Sequence, residues 1–206
     1  MNVVEFRRRL IDRSSSLHAT LATSQVDLLQ AYFELLVRWN RRINLTALPL
    51  EPLGDETFDR LILEPIAAAA YVPPTKLTWF DLGSGGGSPA VPMRVLRPES
   101  RLTMVEARGK KAAFLREVTR VLDLSNVDVV NTRVEDWSPA RHSAELVTAR
   151  ALRINTQLLL LVRTFLSAHG QLLLFGINPA ALSNTFREAR KVDLVPGVST
   201  LLICSP

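Results

Sequence analysis

The sequence predicts an α/β fold: a mainly parallel sheet with helices on both faces, preceded by an N-terminal helical extension. Two observations carry this. From Leu77 onward, short apolar runs alternate with helix-compatible stretches, a pattern that requires crossover connections between parallel strands. Before that point, residues 1–72 show helical periodicity only. A third observation locates a site within the fold: four of the five positions 83–87 are glycine, immediately after the first apolar run.

The elements follow in order. Residues 3–13 read as a short helix. "SQVDLLQAYFELLVRWNRRIN" is a stronger one, with Ser24 and Asp27 as a capping box and Leu29, Tyr32, Phe33, Leu36 and Val37 on one apolar face. A further helix is expected over about 55–71, closed by Pro73 and Pro74. The chain therefore divides into an extension (1–72) and a sheet domain (73–206). In the latter, "LTWFDLG" is a strand and "PAVPMRVLR" a helix. "RLTMVEA" is the second strand, and "GKKAAFLREVTRVLD" a helix with Ala113, Phe114, Val118, Val121 and Leu122 inward. "NVDVVNT", "AELVTAR", the helical "INTQLLLLVRTFLSA" and "QLLLFG" continue the alternation, and "VDLVPGVSTLLICSP" reads as a terminal hairpin.

Composition limits the class of protein. A 206-residue chain with 47% hydrophobic and 22% charged residues reads as one soluble, globular domain. No apolar run approaches the roughly 20 residues that cross a bilayer, and the arginines of "MNVVEFRRRL" follow its apolar stretch, the reverse of a secretory signal. The single cysteine, Cys204, permits no internal disulfide and argues against a zinc site or catalytic thiol. A cytoplasmic location is expected, and no metal. The net charge of +5 is concentrated: residues 94–120 hold eight basic side chains against three acidic ones. This is either a solvated basic surface or a face for an anionic polymer, of which nucleic acid is the foremost case.

The glycines fall between the first strand and the first helix of an alternating sheet, where ligands bind at strand carboxyl ends. A linker does not occupy such a place. Gly83, Gly85 and Gly87 give the spacing G-x-G-x-G with Asp81 two residues ahead, unlike the G-x-G-x-x-G of dinucleotide sites. This pattern resembles the first motif of the class I methyltransferases that use S-adenosylmethionine, a Rossmann-like fold. Bare backbone can there approach the amino-acid end of a cofactor that has no pyrophosphate. Glu106, ending the second strand, can accept from both ribose hydroxyls, or is an ordinary surface acid beside Arg108, Lys110 and Lys111. Val134 and Glu135 follow the third strand, placed to border an adenine, and Arg150 sits where the fourth strand opens into the cleft. Alternatively, Arg133 and Arg150 merely pair with Glu135 and Asp136.

Five ordered stretches, "WNRRINLT", "DLGSGGGSPAVPMRVLRP", "VEARGKKAAFLREV", "TRVEDW" and "TARA", resemble the glucose-inhibited division protein B family from about Leu28 to Gly176. Its members are RsmG-type enzymes that methylate N7 of a guanosine in small-subunit ribosomal RNA. The resemblance implies S-adenosylmethionine as cofactor, with contacts at Asp81, Gly83, Gly85, Gly87, Ser88, Glu106, Val134, Glu135 and Arg150. It makes Lys111 and Arg133 candidates for the RNA side, to which the basic segment adds Lys110, Arg116 and Arg120, and Arg150 and Arg133 are the catalytic candidates. The partner would be small-subunit ribosomal RNA or an assembling small subunit, acted on by a monomer. The chain departs from the family pattern in several places. Leu61, Glu64 and Pro65 stand where "H-x-x-D-S" is common, Ala90 where glycine often follows Pro89, and Phe175 where a lysine usually precedes Gly176.

Guanine N7 carries an in-plane lone pair and no proton, so its methylation needs alignment and no general base. The chain has no Asn-Pro-Pro-aromatic loop for exocyclic amines and no Pro-Cys nucleophile. Two other readings stay open at this level: a non-catalytic RNA-binding relative in ribosome assembly, and a nicotinamide-dependent oxidoreductase.

Overall fold

The computed structural model describes residues 3–176, 185–186, 188–195 and 199–206. Four helices make up the extension: α1 (Val3–Ser16), α2 (Thr23–Asn40), α3 (Asp55–Phe58) and α4 (Glu64–Ala69). Strands β1 (Thr78–Leu82), β2 (Arg101–Val105), β3 (Val127–Val130), β4 (Ala144–Arg150) and β5 (Leu166–Phe175) then alternate with α5 (Ala90–Leu96), α6 (Gly109–Val121) and α7 (Thr156–Phe165). The chain closes with β6 (Glu188–Val195) and β7 (Ser199–Ser205).

Among the described residues, one sheet of seven strands runs in the order β3-β2-β1-β4-β5-β7-β6. β1 to β5 are mutually parallel, while β7 pairs antiparallel with both β5 and β6. The expected terminal hairpin is therefore β6–β7; its Pro196, Gly197 and Val198 lie outside the described residues. Successive side chains on a strand point to opposite faces, and the core splits accordingly. Trp79, Met104, Leu146, Leu173 and Ile203 pack on one face with the extension, α5 and α6. Phe80, Val105, Val147, Leu172, Leu174 and Leu202 pack on the other with α7 and Trp137. Helices thus cover both faces, and α1, α2 and α4 share a continuous cluster with the sheet. Among the described residues, no helix is long and apolar enough to cross a membrane.

The structure departs from local expectation in four places. Helix α2 begins at Thr23 with Ala22 as its cap, and Gln25 rather than Asp27 reaches back, accepting from the Ala22 amide at 2.9 Å. Asp27 instead pairs with Arg7 of α1. The stretch 55–71 is not one regular helix: a single π turn, Asp59–Leu63, separates α3 from α4. On α6 the inward residues are Ala112, Phe114, Leu115, Val118 and Leu122. Ala113 and Val121 face outward, Val121 being 42% exposed. Finally, α7 stops at Phe165 and β5 starts at Leu166, earlier than the apolar "QLLLFG" indicated. The added length pairs with β4 across a bulge between Ala144 and Leu146.

The basic segment is also less of a surface than its composition suggests. Arg94 is buried, its guanidinium donating to the carbonyls of Ser125 (2.6 Å) and Arg97 (3.3 Å). Arg97 donates to the carbonyls of Val72, Leu96 and Ala69. Both cations satisfy carbonyls at helix and loop ends, a structural use to which the fork of arginine is suited.

Candidate active site

The amides of Gly83 and Ser84 both donate to the Val105 carbonyl, at 2.9 and 3.1 Å, which ties the glycine loop to the end of β2. Gly85 has φ +54° and Gly87 φ +87°, left-handed values that side chains rarely adopt. The two glycines differ in what surrounds them. A Cβ on Gly85 would stand 3.7 Å from the Gly83 carbonyl, so conformation rather than space selects glycine, and bare backbone faces the cavity. A Cβ on Gly87 would come within 3.0 Å of Val91 and 3.2 Å of Tyr32, so this glycine admits close packing of α2 and α5 behind the loop. The Tyr32 hydroxyl donates to the Gly86 carbonyl at 2.7 Å. Burial pushes its pKa up, which keeps it a neutral donor.

Glu106 is gripped by backbone. Oε2 accepts from the Gly85 amide and Oε1 from the Arg108 amide, each at 2.8 Å, while Asn131 holds the Glu106 carbonyl, also at 2.8 Å. The residue is 6% exposed and lines the cavity, which rules against an ordinary surface acid. A carboxylate has about four lone-pair sites, so two backbone bonds leave capacity for two hydroxyl donors. Asp81 lies deeper. It is buried under the loop, where Oδ1 accepts from the Thr148 hydroxyl, itself accepting from the Trp79 indole at 2.9 Å. Oδ2 has no hydrogen-bond partner among the described residues. Burial pushes the Asp81 carboxyl up to about 6, partly opposed by the Thr148 hydrogen bond, while the Ser84 hydroxyl donates to the Asp81 backbone carbonyl at 3.0 Å.

The loop and Glu106 open on a cavity of about 630 Å³, within the range of ligand pockets. Gly83, Gly85, Ser88, Glu106, Lys111, Arg133, Val134, Glu135 and Arg150 all line it. Asp81 and Gly87 support the loop from outside that wall, and Lys110, Arg116 and Arg120 lie on the exposed side of α6, away from it. Lys111 donates to the Leu45 carbonyl at 3.0 Å, and partial burial lowers its pKa.

Arg150 does not pair with Glu135 or Asp136. Its Nη2 donates to Glu64 at 2.6 Å, its Nη1 to the Arg60 carbonyl and to Ser88 Oγ (3.2 Å), and the Phe175 ring lies 4.6 Å from its guanidinium carbon. Burial raises the Glu64 pKa and lowers that of Arg150, each effect opposed by the partner's charge. The Arg133 carbonyl accepts from the Asp136 amide at 3.2 Å, while its guanidinium has no hydrogen bond or ion pair among the described residues and lines the cavity.

Sequence reasoning did not assign Tyr32, Arg60, Glu64, Asn131 or Thr148 to the site. Glu64 was visible only as an acid where the family pattern has one. For Tyr32 the signal was absent, since a tyrosine on an apolar helical face reads as core. Among the described residues, no group of three or more His, Cys, Asp or Glu could hold a metal ion.

The sequence is 37% identical over 142 residues to the ribosomal RNA small subunit methyltransferase G of Stutzerimonas stutzeri, covering 69% of this chain and 64% of that protein. It is 44% identical over 113 residues to the protein of the same name from Pseudomonas paraeruginosa, covering 54% of this chain and 50% of that one. The aligned chain thus spans one half to two thirds of these relatives. A SAM-dependent methyltransferase structure from Aquifex aeolicus superposes with a TM-score of 0.58 at 13% identity, over 75% of this chain and 95% of that one, which establishes the class I methyltransferase fold. The model of the family described as GidB, rRNA small subunit methyltransferase G, matches residues 25–192, and the chain belongs to that family.

Proposed function

We propose that the protein is an S-adenosylmethionine-dependent methyltransferase acting on small-subunit ribosomal RNA, with N7 of a guanosine as the acceptor. The observation that carries the reading is the cavity itself: bare glycine backbone on one side and, beside it, a carboxylate immobilised by two amides. The carboxylate suits a ribose diol, and the Gly85 amide, already donating to Glu106, is not free to cradle the pyrophosphate of a dinucleotide.

The residues fit the cofactor. Gly83 and Gly85 would lie along its amino-acid end, Glu106 would take the ribose hydroxyls, and Val134 and Glu135 would border the adenine. When bound, S-adenosylmethionine supplies an electrophilic methyl group. The chain's own contribution is placement, since guanine N7 already carries an unprotonated lone pair and alignment alone can contribute several kcal/mol. Arg133, uncompensated at the cavity, is suited to the O6 edge of guanine or to a phosphate, the usual partners of arginine in nucleic acids. Leu45, Arg60 and Leu61 of the extension over 1–72 line the same cavity, and in this reading they would face the RNA while the domain over 73–206 would hold the cofactor. A monomer in the cytoplasm completes the reading.

Two measurements test it. Calorimetric titration should give a defined dissociation constant for S-adenosylmethionine and none for nicotinamide dinucleotides. Small subunits from cells lacking the enzyme should accept label from methyl-labelled cofactor. Cofactor binding without transfer would establish the non-catalytic relative instead.

A further inference from the structure

Between α3 and α4 the helix widens for one turn, Asp59–Leu63, into π geometry. Such turns are uncommon and concentrate where a helix must re-aim a group toward a site. Here two consecutive carbonyls of the turn are gripped by other elements. The Arg60 carbonyl accepts from Arg150 Nη1, and the Leu61 carbonyl from the Ser88 hydroxyl at 2.9 Å. Ser88 follows the glycine loop and Arg150 ends β4, and both line the cavity, so the turn is tied to two separate segments of its lining.

The Arg150 fork has little left to offer a ligand. Nη1 reaches Arg60 and Ser88, Nη2 reaches Glu64, and Phe175 covers the guanidinium, whose side chain is 13% exposed against 5% for Glu64. A buried ion pair recovers its desolvation cost only in part, so net stability is a weak reason for its presence. What it does supply is fixed geometry, and what it fixes is a wall: Arg60 and Leu61 line the same cavity as Gly83, Gly85 and Glu106.

We infer that Glu64 and Arg150 are a positioning pair that seats the π turn against the glycine loop and so sets where the RNA base stands relative to the cofactor. Arg150 acts through the turn and not by contact with the base. The inference rests on the methyltransferase reading above and adds to it a residue, Glu64, and a different role for Arg150.

Glu64→Gln keeps the side-chain volume and one acceptor but removes the charge. With unmodified small subunits and S-adenosylmethionine both saturating, its single-turnover rate should fall at least about tenfold while the cofactor Kd stays within about threefold, because displacement of a reacting group costs rate rather than cofactor affinity. Arg150→Lys, which keeps charge but loses the fork, should show the same split, and Glu64→Asp should recover part of the rate. Ser88→Ala removes the hydroxyl that donates to the Leu61 carbonyl and accepts from Arg150; with the Glu64–Arg150 pair intact it should show a smaller loss of the same kind, and decides the matter if Glu64→Gln fails to fold. Cofactor affinity falling in step with rate would make Arg150 a cofactor contact and overturn the inference. Unchanged rates in the folded variants would overturn it equally. A parent enzyme that binds cofactor yet transfers nothing to the subunits is a distinct result, defeating the proposed function and the pair with it.

Discussion

A carboxylate that grips a ligand must itself be held still, and Glu106 is held by two backbone amides at 2.8 Å. Glu106→Ala removes the acceptor and releases the Gly85 amide, so cofactor binding should weaken by about 1.5–3 kcal/mol, the range for hydrogen bonds to charged groups. Calorimetry on the folded variant decides this; an unchanged Kd would leave the residue a purely structural anchor. Asp81 shows a different effect of burial. Its pKa rises from an ordinary 3.8 to about 6 in the folded protein. Between those values the native state binds more protons than the unfolded chain, so this site makes stability fall as pH rises through that window. The loss attributable to Asp81 is on the order of 3 kcal/mol, at 1.36 kcal/mol per pKa unit. Asp81→Asn keeps an acceptor for Thr148 but cannot titrate, so its stability relative to the parent should improve from pH 4 to pH 6 in urea unfolding. Parallel curves for the two proteins would contradict the assignment.

Helix α6 shows how charge and packing divide one element. Phe114, Val118 and Leu122 recur every four residues, and this spacing made the buried face legible from sequence alone. Ala113 and Val121 border this stripe and were misread as inward; the buried neighbours are Ala112 and Leu115, on the side where Phe114 meets Trp39 of α2 at 5.7 Å, and Val121 stays exposed. Arg94 and Arg97 were counted as surface charge because composition cannot reveal that carbonyls nearby in space will take their donors. The π turn was hidden for a similar reason: one inserted residue barely disturbs an apolar pattern. On the exposed side, Arg116 and Arg120 remain, the latter in a pair with Glu117 at 2.8 Å that is too exposed to hold it strongly. Arg38 of α2 acts on the same Glu117, so the two basic faces adjoin. Replacing Arg116 and Arg120 by Ala should flatten the dependence of log RNA affinity on log salt by roughly 0.7 to 0.9 for each phosphate that is no longer neutralised. Cofactor affinity should not change, since neither residue lines the cavity. Equal slopes for variant and parent would move the RNA to another face.

At the scale of the molecule, the alternation of strands and helices was legible because each strand is short, apolar and bounded by glycine, proline or charge. Gly83, Gly85 and Glu106 were legible as well, since strand ends in a parallel sheet converge on one edge. The contribution of the extension was not. Arg150 and Glu64 are separated by 86 positions, and Tyr32 and Gly86 by 54, and no local pattern reports contacts at that range. The result is a cavity lined both by residues that follow strand ends and by residues of the N-terminal extension. Its proposed chemistry needs placement and no proton transfer. The most direct test is the single-turnover rate on unmodified small subunits, measured across pH with the labelled nucleoside identified. The expected product is 7-methylguanosine, formed at a rate nearly flat from about pH 6.5 to 9, because no general base must first lose a proton. A methylated exocyclic amine or ribose hydroxyl, formed at a rate rising about tenfold per pH unit, would contradict both the acceptor and the mechanism.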